Sequence, residues 1–307
     1  QSQQEEMERL LSGQHLQGWD RQGSLHPLDA ITPYRDAILG AASLAREITA
    51  VLDCGNGAGS VVTPHLLGDA GVAVRSLNCN PSGRFARPSE PLEQHLPYLG
   101  GMVRRLGADC AVVHDGDADR MMAFDNRGRY IDGDRMLMLF AGYLECRRVV
   151  TTVDASMAIE DLAEVRRTPV GDTYVSEELR RWGEFGGEPS GAWIFPGHSY
   201  CPDGPYAAAL FCEIASERDV AAEIDSMPRY PILRDSFRCP APADVLRALG
   251  AEKPTDGIRL EEEGGWLLIR ASGTEPKVRL TAEGTTAEKA RDLLQKGKKL
   301  LKSAKSS

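Results

Sequence analysis

The apolar residues of this chain come in short runs, each closing on a turn and followed by a stretch of helical length. Ile48–Leu52 is the first such run. It ends in Asp53-Cys54-Gly55-Asn56-Gly57-Ala58-Gly59-Ser60, and Val61, Val62, Leu66 and Leu67 then mark one face of a helix. Val72–Leu77 reads as a second strand, Leu96–Leu106 as a helix and Cys110–Val113 as a third strand. A run of four to eight apolar residues bounded by turn formers suits a strand buried on both faces. Alternation of such strands with helices predicts α/β layers in which many neighbouring strands run parallel.

The pattern changes along the chain. Phe124-Asp125-Asn126-Arg127-Gly128 places turn formers between apolar stretches, a hairpin signal. Arg135–Leu144 reads as a helix, and a second α/β unit starts near Arg147, with strands expected at Val149–Val153 and Thr168–Val170. Helices are expected at Met157–Ala163, Ser176–Trp182 and Asp203–Ile214, with a loop over Gly186–Gly191. After Ser226–Pro231 three strands, Ile258–Leu260, Trp266–Arg270 and Val278–Thr281, lie between helices near Pro242–Leu249 and Thr286–Leu301. The expected fold is therefore two α/β layered domains (29–146 and 147–227) with mixed, mostly parallel sheets. A small α+β domain (228–307) with an antiparallel sheet follows. Residues 1–28 are polar and read as a connector.

Charge and composition narrow the function. The net charge of −9 argues against a nucleic-acid partner, which would need a clustered basic face. No apolar run reaches the roughly 18 residues of a membrane span, so no membrane partner is expected. The seven cysteines are scattered without Cys-x-x-Cys spacing. That pattern suits reduced thiols in a cytoplasmic protein and gives no zinc signature.

Four constellations carry chemistry. In Asp115-Gly116-Asp117-Ala118-Asp119-Arg120, a strand delivers three carboxylates at alternate positions. Converging carboxylates repel one another unless a cation offsets them, and Mg²⁺ takes oxygen ligands of this kind. Arg120 adds a planar fork suited to phosphate. A calcium EF-hand is excluded, because Arg120 and Asn126 stand where it needs Gly and Glu. A solvated acidic turn remains the alternative. Arg270-Ala271-Ser272-Gly273-Thr274-Glu275-Pro276-Lys277 offers hydroxyls, backbone N–H groups and a guanidinium for a phosphate, or is a turn between strands. Glu188-Pro189-Ser190 between glycines places a carboxylate and a hydroxyl on the same side of an extended segment, suited to sugar hydroxyls, or is a simple loop. The Gly55/Gly57/Gly59 run lacks the dinucleotide fingerprint and reads as a tight structural turn. Among the isolated histidines, His114 is a candidate for packing and His198 for facing a ligand.

Taken in order, these segments resemble the α-D-phosphohexomutase family. Asp-Gly-Asp-Ala-Asp-Arg at 115–120 resembles its metal loop, and Gly-Asp-Thr-Tyr-Val at 171–175 its specificity loop. Gly-Glu-Pro-Ser-Gly at 187–191 resembles its sugar loop, and Arg-Ala-Ser-Gly-Thr-Glu-Pro at 270–276 its phosphate loop. The resemblance implies that Asp115, Asp117 and Asp119 bind Mg²⁺ and that Arg120 lies near the transferring phosphate. It implies that Glu188, Ser190, Gly171 and Asp172 contact the sugar. Arg270, Ser272, Gly273, Thr274 and Arg279 would hold the non-reacting phosphate. The implied activity interconverts hexose 6-phosphate and hexose 1-phosphate through a bisphosphorylated intermediate, with a phosphosugar as partner and a homo-oligomer compatible with it.

The chain departs from the family pattern in places. Pro189, Ala192 and Ala271 replace residues common elsewhere and look most like archaeal-type phosphoglucosamine or phosphomannomutases, and the Lys277–Gly284 run and the Gly171-Asp172 loop lean toward glucosamine phosphate. A Ser-His-Asn-Pro-type loop, whose serine carries the phosphoryl group, is not found; Asn80-Pro81-Ser82 and Asp154-Ala155-Ser156 are superficial look-alikes. The resemblance therefore covers domains two to four. The chain alone is expected to be an inactive fragment, with a shortened, non-catalytic phosphosugar-binding protein as the alternative.

Overall fold

The computed structural model describes residues 2–11, 18–21, 23–251, 257–272 and 276–305. The chain divides into two units, one ending at Tyr34 and one running from Arg35. In the first, Ser2–Leu11 forms helix α1, with Met7, Leu10 and Leu11 exposed. Asp29 accepts from the backbone N–H groups of Ile31 and Thr32, both at 3.1 Å, which caps helix α2 (Ile31–Leu39).

In the second unit three sheets succeed one another. The first orders its strands β2-β1-β3-β4-β5: β1 Thr49–Asp53, β2 Ala73–Leu77, β3 Cys110–His114, β4 Met121–Phe124 and β5 Tyr130–Ile131. β2, β1 and β3 are parallel, while β3, β4 and β5 are antiparallel, so its pairings are evenly mixed. β1 and β3 are almost wholly buried because helices α3 (Gly59–Asp69) and α4 (Leu99–Leu106) cover the sheet. Val51, Leu99, Val103, Ala111 and Val113 form one apolar cluster there.

Helix α5 (Gly133–Tyr143) leads into the second sheet, ordered β7-β6-β8-β9. Its strands are β6 Arg148–Thr152, β7 Glu164–Thr168, β8 Phe185–Gly187 and β9 Trp193–Ile194. Phe140 of α5 meets Phe185, Trp193 and Phe195 edge-on at 6.0, 5.7 and 5.6 Å, joining the first layer to the second. Helices α6 (Asp172–Leu179), α7 (Gly204–Glu217) and α8 (Val220–Ser226) follow.

Four expectations need correcting here. The strand expected at Thr168–Val170 lies earlier, at Glu164–Thr168: it is a sheet edge whose Arg166 and Arg167 break the apolar run. The 157–163 helix is a 3₁₀ turn, Met157–Asp161, and the 176–182 helix starts at Asp172. Gly186 and Gly187, read as loop, belong to a buried central strand, invisible to side-chain periodicity because glycine has no side chain.

The last sheet is antiparallel, ordered β10-β13-β12-β11, with β10 Ile232–Arg238, β11 Ile258–Glu262, β12 Gly265–Ala271 and β13 Lys277–Gly284. β10 is a fourth strand that the sequence pattern does not reveal, a half-buried edge rich in polar residues. Helices α9 (Pro242–Ala248) and α10 (Ala287–Lys305) cover one face, with Leu246, Leu267, Val278, Leu280 and Leu293 in the core.

A buried carboxylate joins this sheet to the second layer. Glu283 is fully buried and accepts from the Ser156 hydroxyl, the Met157 backbone N–H at 2.7 Å and the Trp266 indole at 2.5 Å. Removing the acceptor strands buried donors, each costing about 1–3 kcal/mol. Glu283→Ala is therefore expected to lower the unfolding free energy by about 3 kcal/mol. Urea titration checks this, and a loss under about 0.5 kcal/mol would contradict the assigned role.

Candidate functional site

The acidic loop leaves the end of buried strand β3 and returns as β4. Its even-numbered carbonyls are each held by the scaffold. Gly116 O accepts from Ala58 N at 2.9 Å, Ala118 O from Gly204 N at 3.2 Å, and Arg120 O from His114 Nδ1 at 3.1 Å. Gly116 N in turn donates to Ser89 Oγ at 3.0 Å. Ala118 adopts φ +63°, a left-handed turn that helps fold the loop back on itself. The odd-numbered side chains converge. Asp115, Asp117 and Asp119 each present a carboxylate oxygen within 4.8 Å of the others. Octahedral Mg²⁺, with ligands at about 2.1 Å, needs oxygens about 3–4 Å apart, so a small contraction would fit it.

Two glycines outside the loop make this approach possible. A Cβ on Gly57 would stand 2.3 Å from Gly116 O, and one on Gly204 would stand 2.5 Å from Ala118 O. The glycine-rich turn after β1 thus has the structural role expected of it, and its contact partner is the acidic loop.

The electrostatics fit an incomplete cation site. Burial first, and then Asp119 and Asp117, push the Asp115 carboxyl up to about 7. Asp119 is raised as well, by burial and by Asp117, and Asp172 adds to it. Arg120 is near but not closely paired, its Nε 3.8 Å from oxygens of both Asp115 and Asp119.

The segments around 188–192 and 171–172 lie beside this loop. Arg120 bridges to Ala192 as an isolated antiparallel pair, and Met121 N donates to Gly191 O at 2.9 Å, so the 187–191 segment lies alongside. Glu188 is buried and accepts from Gly171 N at 2.6 Å and from Ser190 Oγ at 3.1 Å. Burial raises its carboxyl despite these two donors. The Glu188–Gly191 stretch is a turn, with Gly191 N on Glu188 O, rather than an extended segment. Asp172 opens α6 beside Gly171. Arg270, on β12, reaches Asp154 at 3.7 Å, a partner that the sequence pattern does not single out. Arg279 stands directly across from Arg270 on β13. Like charges opposite one another on a sheet are unfavourable until an anion joins them. Ser272 Oγ is buried and, among the described residues, has no hydrogen-bond partner. Gly273 and Thr274 lie outside the described residues.

The histidines sort themselves. His198 pairs with Asp203 at 3.1 Å and stacks on Tyr206, which occupies its ring within the scaffold. His114 is fully buried between Arg120 O and Thr63 Oγ1 at 3.1 Å. A carbonyl can only accept, so Nδ1 carries the proton and Nε2 accepts from the Thr63 hydroxyl. Burial lowers its pKa from 6.5 to about 4. The depressed value means that the unfolded chain takes up a proton that the folded one refuses. This contribution to stability is therefore present above pH 6.5 and is lost as pH falls through about 4. Ring NMR is expected to show His114 still neutral at about pH 5, and a midpoint near the ordinary value would contradict the burial argument.

Comparisons with known proteins place these loops in a lineage. Residues 29–128 match the phosphoglucomutase/phosphomannomutase alpha/beta/alpha domain II. Residues 132–230 match domain III, and 236–297 match the C-terminal domain. A Methanosarcina acetivorans protein named "Probable phosphoglucosamine mutase" is 42% identical over 99% of this chain and 74% of its own length. A Pyrococcus furiosus protein of the same name is 39% identical over 97% of this chain and 72% of its own length. The crystal structure of a phosphoglucomutase/phosphomannomutase family protein from Burkholderia thailandensis superposes with a TM-score of 0.83, at 24% identity, over 97% of this chain and 69% of that one. The Aspergillus fumigatus N-acetylphosphoglucosamine mutase, solved with GlcNAc-6P and magnesium, shares the fold at a TM-score of 0.62 and 17% identity over 89% of this chain and 68% of that one. The chain belongs to the phosphoglucomutase/phosphomannomutase family.

Proposed function

We propose that the protein is a Mg²⁺-dependent phosphohexomutase that interconverts glucosamine 6-phosphate and glucosamine 1-phosphate. The observation that carries this reading is the convergence of Asp115, Asp117 and Asp119 beside Arg120, on a loop whose neighbours are Glu188 and Gly171. Relatives from two archaeal genera, both named for glucosamine phosphate, support the choice of sugar.

Each group has a task in this reading. Asp115, Asp117 and Asp119 would hold Mg²⁺, which supplies positive charge to offset the transferring phosphoryl group. Arg120 orients that group through its planar fork and stays loosely paired until a phosphate arrives. Glu188 and Ser190 accept and donate to sugar hydroxyls, with Gly171 fixing the Glu188 carboxylate. Asp172, at the start of α6 and acting on Asp119 electrostatically, would offer an amino group on the sugar a negative partner. Arg270 and Arg279 clasp the phosphate that does not react, and the Ser272 hydroxyl donates to it. A substrate that reorients needs both ends recognised, and in this reading the acidic loop and the Arg270/Arg279 pair would do so.

The metal assignment is tested on this chain. Asp117→Asn is expected to weaken Mg²⁺ binding at least tenfold in calorimetry while the melting temperature changes little. Unchanged affinity would refute the ligand set. The substrate assignment is tested by assaying a panel of hexose phosphates with the full-length protein. Glucosamine phosphate is expected to have the highest kcat/KM, and a preference of tenfold or more for mannose phosphate would overturn the choice of sugar.

A further inference from the structure

We infer that Arg87 is a positioning residue that sets the geometry of the metal loop from beneath; this rests on the metal reading above. Arg87 lies on the long irregular connection between β2 and α4, where nothing in the spacing of the chain marks it. Its side chain is only 3% exposed and faces Asp53, which is fully buried. The guanidinium uses its whole fork. Nε donates to Asp53 Oδ1 at 3.3 Å, and Nη1 to the carbonyls of Pro88 and Ser89, both at 3.1 Å. Nη2 donates to His114 O at 2.5 Å.

Two of those contacts lead directly to the acidic loop. His114 O is the last carbonyl before Asp115. Ser89, whose carbonyl Arg87 holds, accepts from Gly116 N through its own hydroxyl. Arg87 thus grips the loop from both sides of its first aspartate. Asp53 is itself over-determined, taking Gly55 N at 2.8 Å, Asn78 Nδ2 at 2.9 Å and Tyr98 OH at 2.6 Å, so the anchor cannot swing.

Stability alone is a poor account of this pair. Burying two charges costs desolvation, and apolar replacements of buried ion pairs are often neutral or better. What an apolar pair cannot do is donate to three carbonyls at once. Lysine cannot span them either, since its donors radiate from one nitrogen. Groups behind a metal's ligands orient them, and their loss weakens metal binding about 10–100-fold.

The test measures Mn²⁺ affinity by electron paramagnetic resonance and Mg²⁺ affinity by calorimetry, with thermal melts, on the 307-residue chain. Arg87→Lys is expected to weaken Mn²⁺ binding about tenfold. Arg46→Lys is the control. It alters another arginine–aspartate tie of the same layer, Arg46 to Asp109 at 2.8 Å, away from the loop, and should leave affinity unchanged. Ser89→Ala, an exposed position, removes only the bond to Gly116 N and is expected to cost about threefold. If Arg87→Lys does not fold, Ser89→Ala decides. Affinity within twofold of the unaltered chain in the decisive variant overturns the inference while leaving the metal site standing, and so does an equal loss in Arg46→Lys. Failure of the unaltered chain to bind either ion overturns the metal reading and this inference with it.

Discussion

The acidic loop can gather three carboxylates because its backbone is pinned at every second residue. The carbonyls of Gly116, Ala118 and Arg120 are tied to Ala58, Gly204 and His114, which come from three different elements. Alternation then does the rest. With the even positions anchored, the side chains at 115, 117 and 119 are turned to a common point. A loop without those ties would let its carboxylates diverge to relieve their repulsion. The ties keep the carboxylates buried and close together, and burial first, then their mutual repulsion, raises the carboxyls of Asp115 and Asp119, which a divalent cation would offset.

The same logic extends outward. Buried neutral His114 spans the loop base, and the Arg87–Asp53 pair holds the strand end below it. Buried charges are costly, and this pair accepts from four donors at Asp53 and donates to three carbonyls from Arg87. In the last sheet Arg270 and Arg279 face one another as an unfavourable like-charge pair. Negative charge thus gathers at the acidic loop and positive charge on the last sheet, where Asp154 offsets part of that of Arg270. A cation at the first and a phosphate at the second would offset both.

Much of the framework was legible in the sequence because it is written in side chains. β1, β3 and β12 are continuous apolar runs, and α3, α5 and α10 carry helical periodicity beside recognisable turns. The failures have physical causes. β7 and β10 are sheet edges whose exposed faces carry Arg166, Arg234 and Ser236, so no apolar run forms. β8 is two-thirds glycine, and its central place is fixed by backbone pairing to β6 and β9. Local turns behave similarly: Glu188 and Ser190 looked like same-side residues of an extended segment, yet they meet through a turn closed by Gly191.

By itself, then, the order of the residues determined the succession of α/β layers, the antiparallel closing sheet and the spacing of the acidic, sugar and phosphate segments. Those properties depend on periodicity and on near neighbours, which a linear reading contains. The tertiary structure alone decided what the segments do to one another. Gly57 matters because Gly116 lies against it, Glu188 because Gly171 donates to it from 17 positions away, and Arg87 because His114 O sits 27 positions further on. Such contacts join residues whose separation carries no periodic signal, and only the packed chain brings their donors and acceptors within hydrogen-bonding distance. The three aspartates are a pattern in the sequence, and the carbonyl ties around them turn the pattern into a site.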